Sequence, residues 1–284
     1  MLSESTKRET QWYVINIKAR DNQIPQHYVD VFNKLQEEDP LVPLMGDTVA
    51  SIRDVTSSEN VDDDGIPQYM RIRFLVYTII DKDAFYSIKK DEIISMDWDE
   101  DIVANKREIV LIFVPKFHIL SFRKSSKISI NQVQKYLSEA LNKIEENEFT
   151  IDIVKSQDEI QRILDADKLI SINAKVSFDN GTHTDDFRKA FEDKAKQSKA
   201  EYIEIELRGT KEHPLDKSKD SLVETLIKIS EMNGMVVAKI QADLDSKVEI
   251  INTESCPKIL KLPPAKQIFI EVCKEIKKLV GSKL

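Results

Sequence analysis

The stretch IVLIFVPKFHILSF, Ile109 to Phe122, sets the strongest constraint on the fold: two apolar arms flank Val-Pro-Lys-Phe-His. A proline between strands is ordinarily a turn residue, because its fixed φ suits a turn and its missing N–H spoils a ladder. The arms therefore read as a buried hairpin turned by Pro115 and Lys116. The remaining chain has to build a sheet around it.

Upstream, WYVINIKA (12–19) alternates as a strand does, and Pro25 opens a helix with Tyr28, Val31, Phe32 and Leu35 at helical spacing. Asp39 and Pro40 end that helix. DTVASIRDV, YMRIRFLVYTII and AFYSI then read as strands leading to the hairpin. Past it, SINQVQKYLSEALNKIEEN carries an apolar stripe through Val133, Tyr136, Leu137, Ala140, Leu141 and Ile144, with Ser129 and Gln132 spaced as a capping box. From Phe149 short strands alternate with helices: FTIDIV, a helix opened by Ser156, KLISINAKVSF, a helix over 186–197, YIEIEL, a helix stopped by Gly234, MVVAKIQ, KVEII and a closing amphipathic helix. These patterns predict an α+β chain. An amino-terminal domain, 8–147, has a mainly antiparallel sheet, two helices and the central hairpin, and an α/β sandwich domain follows at 148–284.

Charged residues make up 32% and apolar residues 41%, while Gly and Pro number only 6 and 9, which fits a globular chain. No apolar run approaches the roughly 18 to 20 residues of a membrane-crossing helix, and the first residues lack a secretory pattern, so a cytoplasmic protein without membrane partners is expected. No two glycines lie closer than 19 residues, which excludes the dinucleotide-binding and phosphate-loop fingerprints. Two cysteines, Cys256 and Cys273, and four scattered histidines give neither a disulfide framework nor a zinc spacing. No cofactor and no metal are expected.

The net charge of −8 argues against a uniformly basic coat, but cations are segregated. Between Lys106 and Lys127 lie Lys106, Arg107, Lys116, Arg123, Lys124 and Lys127 against the single acid Glu108. Such a patch can neutralise phosphates, with Phe117 and His118 offering stacking or hydrogen bonding at the turn. The plainer reading is a buried hairpin whose ends these cations solvate.

Elsewhere, Glu204, Glu206 and Lys239 on adjacent strands raise the possibility of a metal-dependent nuclease, against the plainer reading of a solvated strand face. NVDDDGIP lacks the closing acid of a calcium loop, since position 73 is Arg. SMDWDEDI reads as an exposed acidic connection with Trp98 tucked inward, and GTHTDDF as a helix start capped by Thr184 in which His183 needs no catalytic role.

FVPKFHILSF, with His118 three residues after Pro115, resembles a bacterial family of unknown function, numbered 4747 among such families. ISINQVQKYLSEALNKI is similar to that family's capped helix, and LDADKLISINAKV, EYIEIELRG and NGMVVAKI are similar to its later layout. The two-domain arrangement distantly resembles RexA, the DNA-binding exclusion protein of a temperate phage. The resemblance implies a phage-defence setting and supplies no catalytic residues. The expected function is thus a non-enzymatic nucleic-acid-binding or partner-binding component of an antiviral system, with Lys116, His118, Arg123, Lys124 and Lys127 as nucleic-acid contacts. The alternatives are the nuclease and a structural adaptor that binds another protein of the same operon through the acidic loops at 59–64 and 97–101.

Overall fold

β1 (Thr10–Ala19) is the hub of the larger sheet, because it is long enough to hold three partners. One edge pairs with β8 (Ile119–Arg123); the other pairs with β14 (Ile259–Leu262) along Thr10–Tyr13 and with β9 (Phe149–Ile153) along Ile15–Ala19. The computed structural model describes residues 9–81, 83, 85–95, 99, 101–146, 148–177, 197, 202–219, 221–243 and 245–281. Beyond β8 the sheet continues through β7 (Val103–Val114), β4 (Met70–Ile79), β3 (Thr48–Ser57) and β2 (Val42–Met45), every pair antiparallel. A small hairpin, β5 (Phe85–Ser87) with β6 (Glu92–Ile94), interrupts the path between β4 and β7.

Both faces of the sheet's centre are covered. On one side lie α1 (Pro25–Glu38) and α2 (Ile130–Ile144), whose Tyr28, Phe32, Val133 and Leu137 pack on Ile15, Ile72, Leu111, Phe113, Leu120 and Phe122. On the other, α5 (Ile268–Gly281) sets Val272, Ile276 and Leu279 against Trp12, Val14, Ile112, Val114 and Ile119. This explains the unalternating run in β7: Leu111 and Phe113 face one helical layer, while Ile112 and Val114 face the other. Each such side chain, wholly removed from water, contributes about 1.5–3 kcal/mol.

Local chemistry sets the helix ends. α1 begins with Pro25 in its first turn and stops where Asp39 turns left-handed at φ 42, before Pro40. α2 carries both halves of the expected capping box: Gln132 N–H donates to Ser129 Oγ at 3.3 Å, and Ser129 N–H to Gln132 Oε1 at 2.9 Å.

The second sheet runs β11 (Tyr202–Arg208), β10 (Lys168–Ser177), β12 (Gly234–Gln241), β13 (Val248–Asn252), again antiparallel. α3 (Gln157–Asp165) and α4 (Leu222–Asn233) cover one face through Ile160, Ile163, Leu226, Ile227 and Ile229. At the junction of α4 and β12, a Cβ on Gly234 would collide with the Lys175 carbonyl oxygen, so only glycine lets β12 enter beside β10.

The chain is therefore α+β, with a curled antiparallel sheet and a second, helix-backed sheet. The first sheet takes β9 and β14 from beyond residue 148. Apart from Gln197, the helix expected over 186–197 lies outside the described residues, as do Trp98, His183 and Thr184. No helix among the described residues is long and apolar enough to cross a membrane.

Candidate nucleic-acid interface

The hairpin turn is a single 3-10 turn, Pro115–Phe117, closed by His118 in the left-handed conformation, φ 56. His118 N–H donates to the Pro115 carbonyl at 3.2 Å, and its own carbonyl accepts from Ile17 N–H at 2.8 Å. The imidazole stacks on the buried Tyr28 ring, centroids 4.3 Å apart. His118 thus fastens the turn to β1 and α1. Lys116 pairs with Asp62 at 3.6 Å. Hydrogen bonds from the Ile66 and Asp64 amides, helped by Lys116, hold the Asp62 carboxyl below the usual carboxylate range. The acidic DDDG loop is accordingly held together by its own backbone.

The other expected contacts lie at the far end of β8. Five residues of strand carry the chain about 14 Å, so Arg123, Lys124 and Lys127 sit well away from the turn. They line a cleft of about 870 Å³ where the loop after β8 meets the start of α5. Its floor is apolar, with Trp12, Val110, Ile268 and Phe269, and a fourth cation, Lys266, enters from the α5 side. Arg123, Lys124, Lys127 and Lys266 are all exposed, and among the described residues none forms an ion pair. Lys124 lines the cleft, with its ammonium 5.9 Å from the ring centroid of Tyr13, which packs with the α1–α2 core on the other face of the sheet.

The loop bearing these cations is fixed by backbone contacts. Lys124 N–H donates to the Gln11 carbonyl at 2.7 Å, Lys127 N–H to Ser125 Oγ at 3.0 Å, and Arg107 Nη1 to the Lys127 carbonyl at 3.0 Å. Glu108, the cleft's acid, is already engaged by Lys106 at 3.0 Å and Arg73 at 3.2 Å. The Lys106 hydrogen bond, seconded by the Arg73 charge, holds its carboxyl below the usual range. Of the six segregated cations, the structure brings three to one cleft, uses Lys106 and Arg107 as supports, and places Lys116 at the opposite end of the hairpin. Sequence reasoning missed Lys266, although a signal was there: Lys258, Lys261 and Lys266 follow one another with no acid between Glu254 and Glu271.

The nuclease residues behave as a solvated face. Glu204 accepts from Asn173 Nδ2 at 2.9 Å, and Glu206 pairs with Arg208 at 2.7 Å, which lowers the Glu206 pKa. Strand β10 lies between β11 and the Lys239-bearing β12, so the lysine stands about two strand spacings, roughly 10 Å, from the carboxylates. Among the described residues no three His, Cys, Asp or Glu side chains gather as metal ligands.

A further cleft of about 410 Å³ opens beside β9, with Gln134, Asn142, Arg20, Asp152, Lys155, Lys175 and Glu254 on its walls. Gln134 Nε2 donates to the Ile151 carbonyl at 2.9 Å, and Asn142 pairs with both backbone groups of Phe149, so α2 shields the free edge of β9. Lys155 is buried, and desolvation pushes its pKa down against the raising effect of Asp152 and Glu254. Cations and acids are mixed there, whereas the Arg123 cleft has the single acid Glu108, held by Lys106 and Arg73.

No curated protein matches the chain. The family described as Domain of unknown function (DUF4747) matches residues 8–280.

Proposed function

We propose, from the premise that this chain belongs to the DUF4747 family of domains of unknown function, that it binds nucleic acid non-enzymatically by neutralising backbone phosphates. The observation that carries this reading is the single cleft rimmed by Arg123, Lys124, Lys127 and Lys266, its one acid already engaged by other cations. Cations without an ion-pair partner among the described residues are available to phosphates without first breaking protein ion pairs. Contacts of this kind position a nucleic acid and carry little base readout. An antiviral role is proposed with it, on the family resemblance alone.

The reading is tested by titrating a labelled oligonucleotide at increasing salt. Four phosphate contacts on a single strand give a slope of log K against log salt of about −3. Undetectable binding of both DNA and RNA at low salt would overturn it.

A further inference from the structure

The first turn of α5 separates the Arg123 cleft from a neighbouring cleft of about 610 Å³, and Lys266, Ile268 and Phe269 line both. The second cleft adds Arg71, Tyr69 and the segment 56–60, whose one acid is the exposed Glu59. We infer that the two form one track for a single-stranded nucleic acid, which crosses the start of α5 with a base stacked at Phe269. This rests on the phosphate-binding reading above and names the ligand class of that site.

Two features favour a single strand over a duplex. The cations are distributed along the path: Arg123, Lys124 and Lys127 at one end, Lys266 at the crossing and Arg71 beyond it. Arg71 projects from β4 on the α5 side, because its neighbours Met70 and Ile72 are spent on the opposite core. The crossing itself is aromatic. Phe269 and Tyr69 are half-buried with ring centroids 6.0 Å apart, and Phe269 belongs to both walls. A duplex keeps its base faces stacked internally and has nothing to offer such a ring. An unpaired base can stack on it whatever its sequence.

The test uses the full chain and a labelled oligo(dT) or oligo(U) of roughly ten nucleotides, with the matching duplex as competitor. The single strand is expected to bind at least about tenfold tighter than the duplex. Phe269→Leu keeps the apolar packing and removes the ring; it is expected to lower single-strand affinity about tenfold, leaving the salt slope and duplex binding unchanged. Phe269→Trp is expected to retain binding. A duplex that binds as tightly as the strand, or Phe269→Leu without effect, overturns the single-strand track while leaving phosphate binding in place. Absence of binding by either form overturns both.

Discussion

Replacing Arg123, Lys127 and Lys266 together with glutamate is expected to lower oligonucleotide affinity roughly 100- to 1000-fold at low salt, the scale of three charge-assisted contacts at 1 kcal/mol or more each. The salt slope should flatten by about 2 at the same time, because each lost phosphate contact removes about 0.7 for a single strand. All three side chains are exposed, so the substitutions should move stability by no more than about 0.5 kcal/mol apiece. Glutamate at 266 even suits the start of α5, where the helix dipole favours negative charge. Lys116→Glu at the hairpin turn is the matched control. It makes the same charge reversal as each cleft substitution does singly, yet it lies a strand length from the cleft and should alter affinity less than about threefold. Fluorescence anisotropy at several salt concentrations reads both effects.

The second large effect concerns the double-sided burial of β7. Phe113 is fully buried against Tyr28 and Phe32, with ring centroids 5.9 and 4.6 Å away, and Phe113→Ala should cost about 3–5 kcal/mol. Ile112, the preceding residue, is equally buried on the opposite face beneath α5, and Ile112→Ala should cost about 2–5 kcal/mol. In a sheet with one wet face, two adjacent residues could not both be this expensive, since one would point to water. Either loss is a large share of the roughly 5–15 kcal/mol that holds a typical protein folded. Urea denaturation of the two variants decides the matter: if Ile112→Ala unfolds with an unchanged midpoint, α5 does not cover the sheet.

Local signals made much of this fold legible. Pro25, the Ser129–Gln132 box and the apolar stripe of α2 each act within one or two helical turns, and the helices stand where those signals put them. β2 and β14 escaped. Pro43 argues against a strand, and only the edge position of β2 tolerates it; the Gly46-Asp47 pair, which joins Met45 to Thr48 in a two-residue turn, was the available clue. β14 is four residues long and owes its place to Trp12 and its neighbours, from the opposite end of the chain. No short-range pattern announces such a pairing.

The site was legible in part for the same reason. Arg123, Lys124 and Lys127 are close in sequence and remain close in space, so charge segregation located them. Lys116 and His118 were equally near on paper, but an extended strand separates residues as quickly as it can, and the turn has its own work with Tyr28, Ile17 and Asp62. Lys266 and Phe269 reach the cleft only because α5 returns to cover β7 and β8.

Lysine footprinting, with acetylation read by mass spectrometry in the presence and absence of a short single strand, tests the location of the interface most directly. Lys124, Lys127 and Lys266 are expected to lose reactivity when the strand is bound, while Lys106 and Lys116 keep theirs. Protection of Lys116 with the three cleft lysines unchanged would contradict the account.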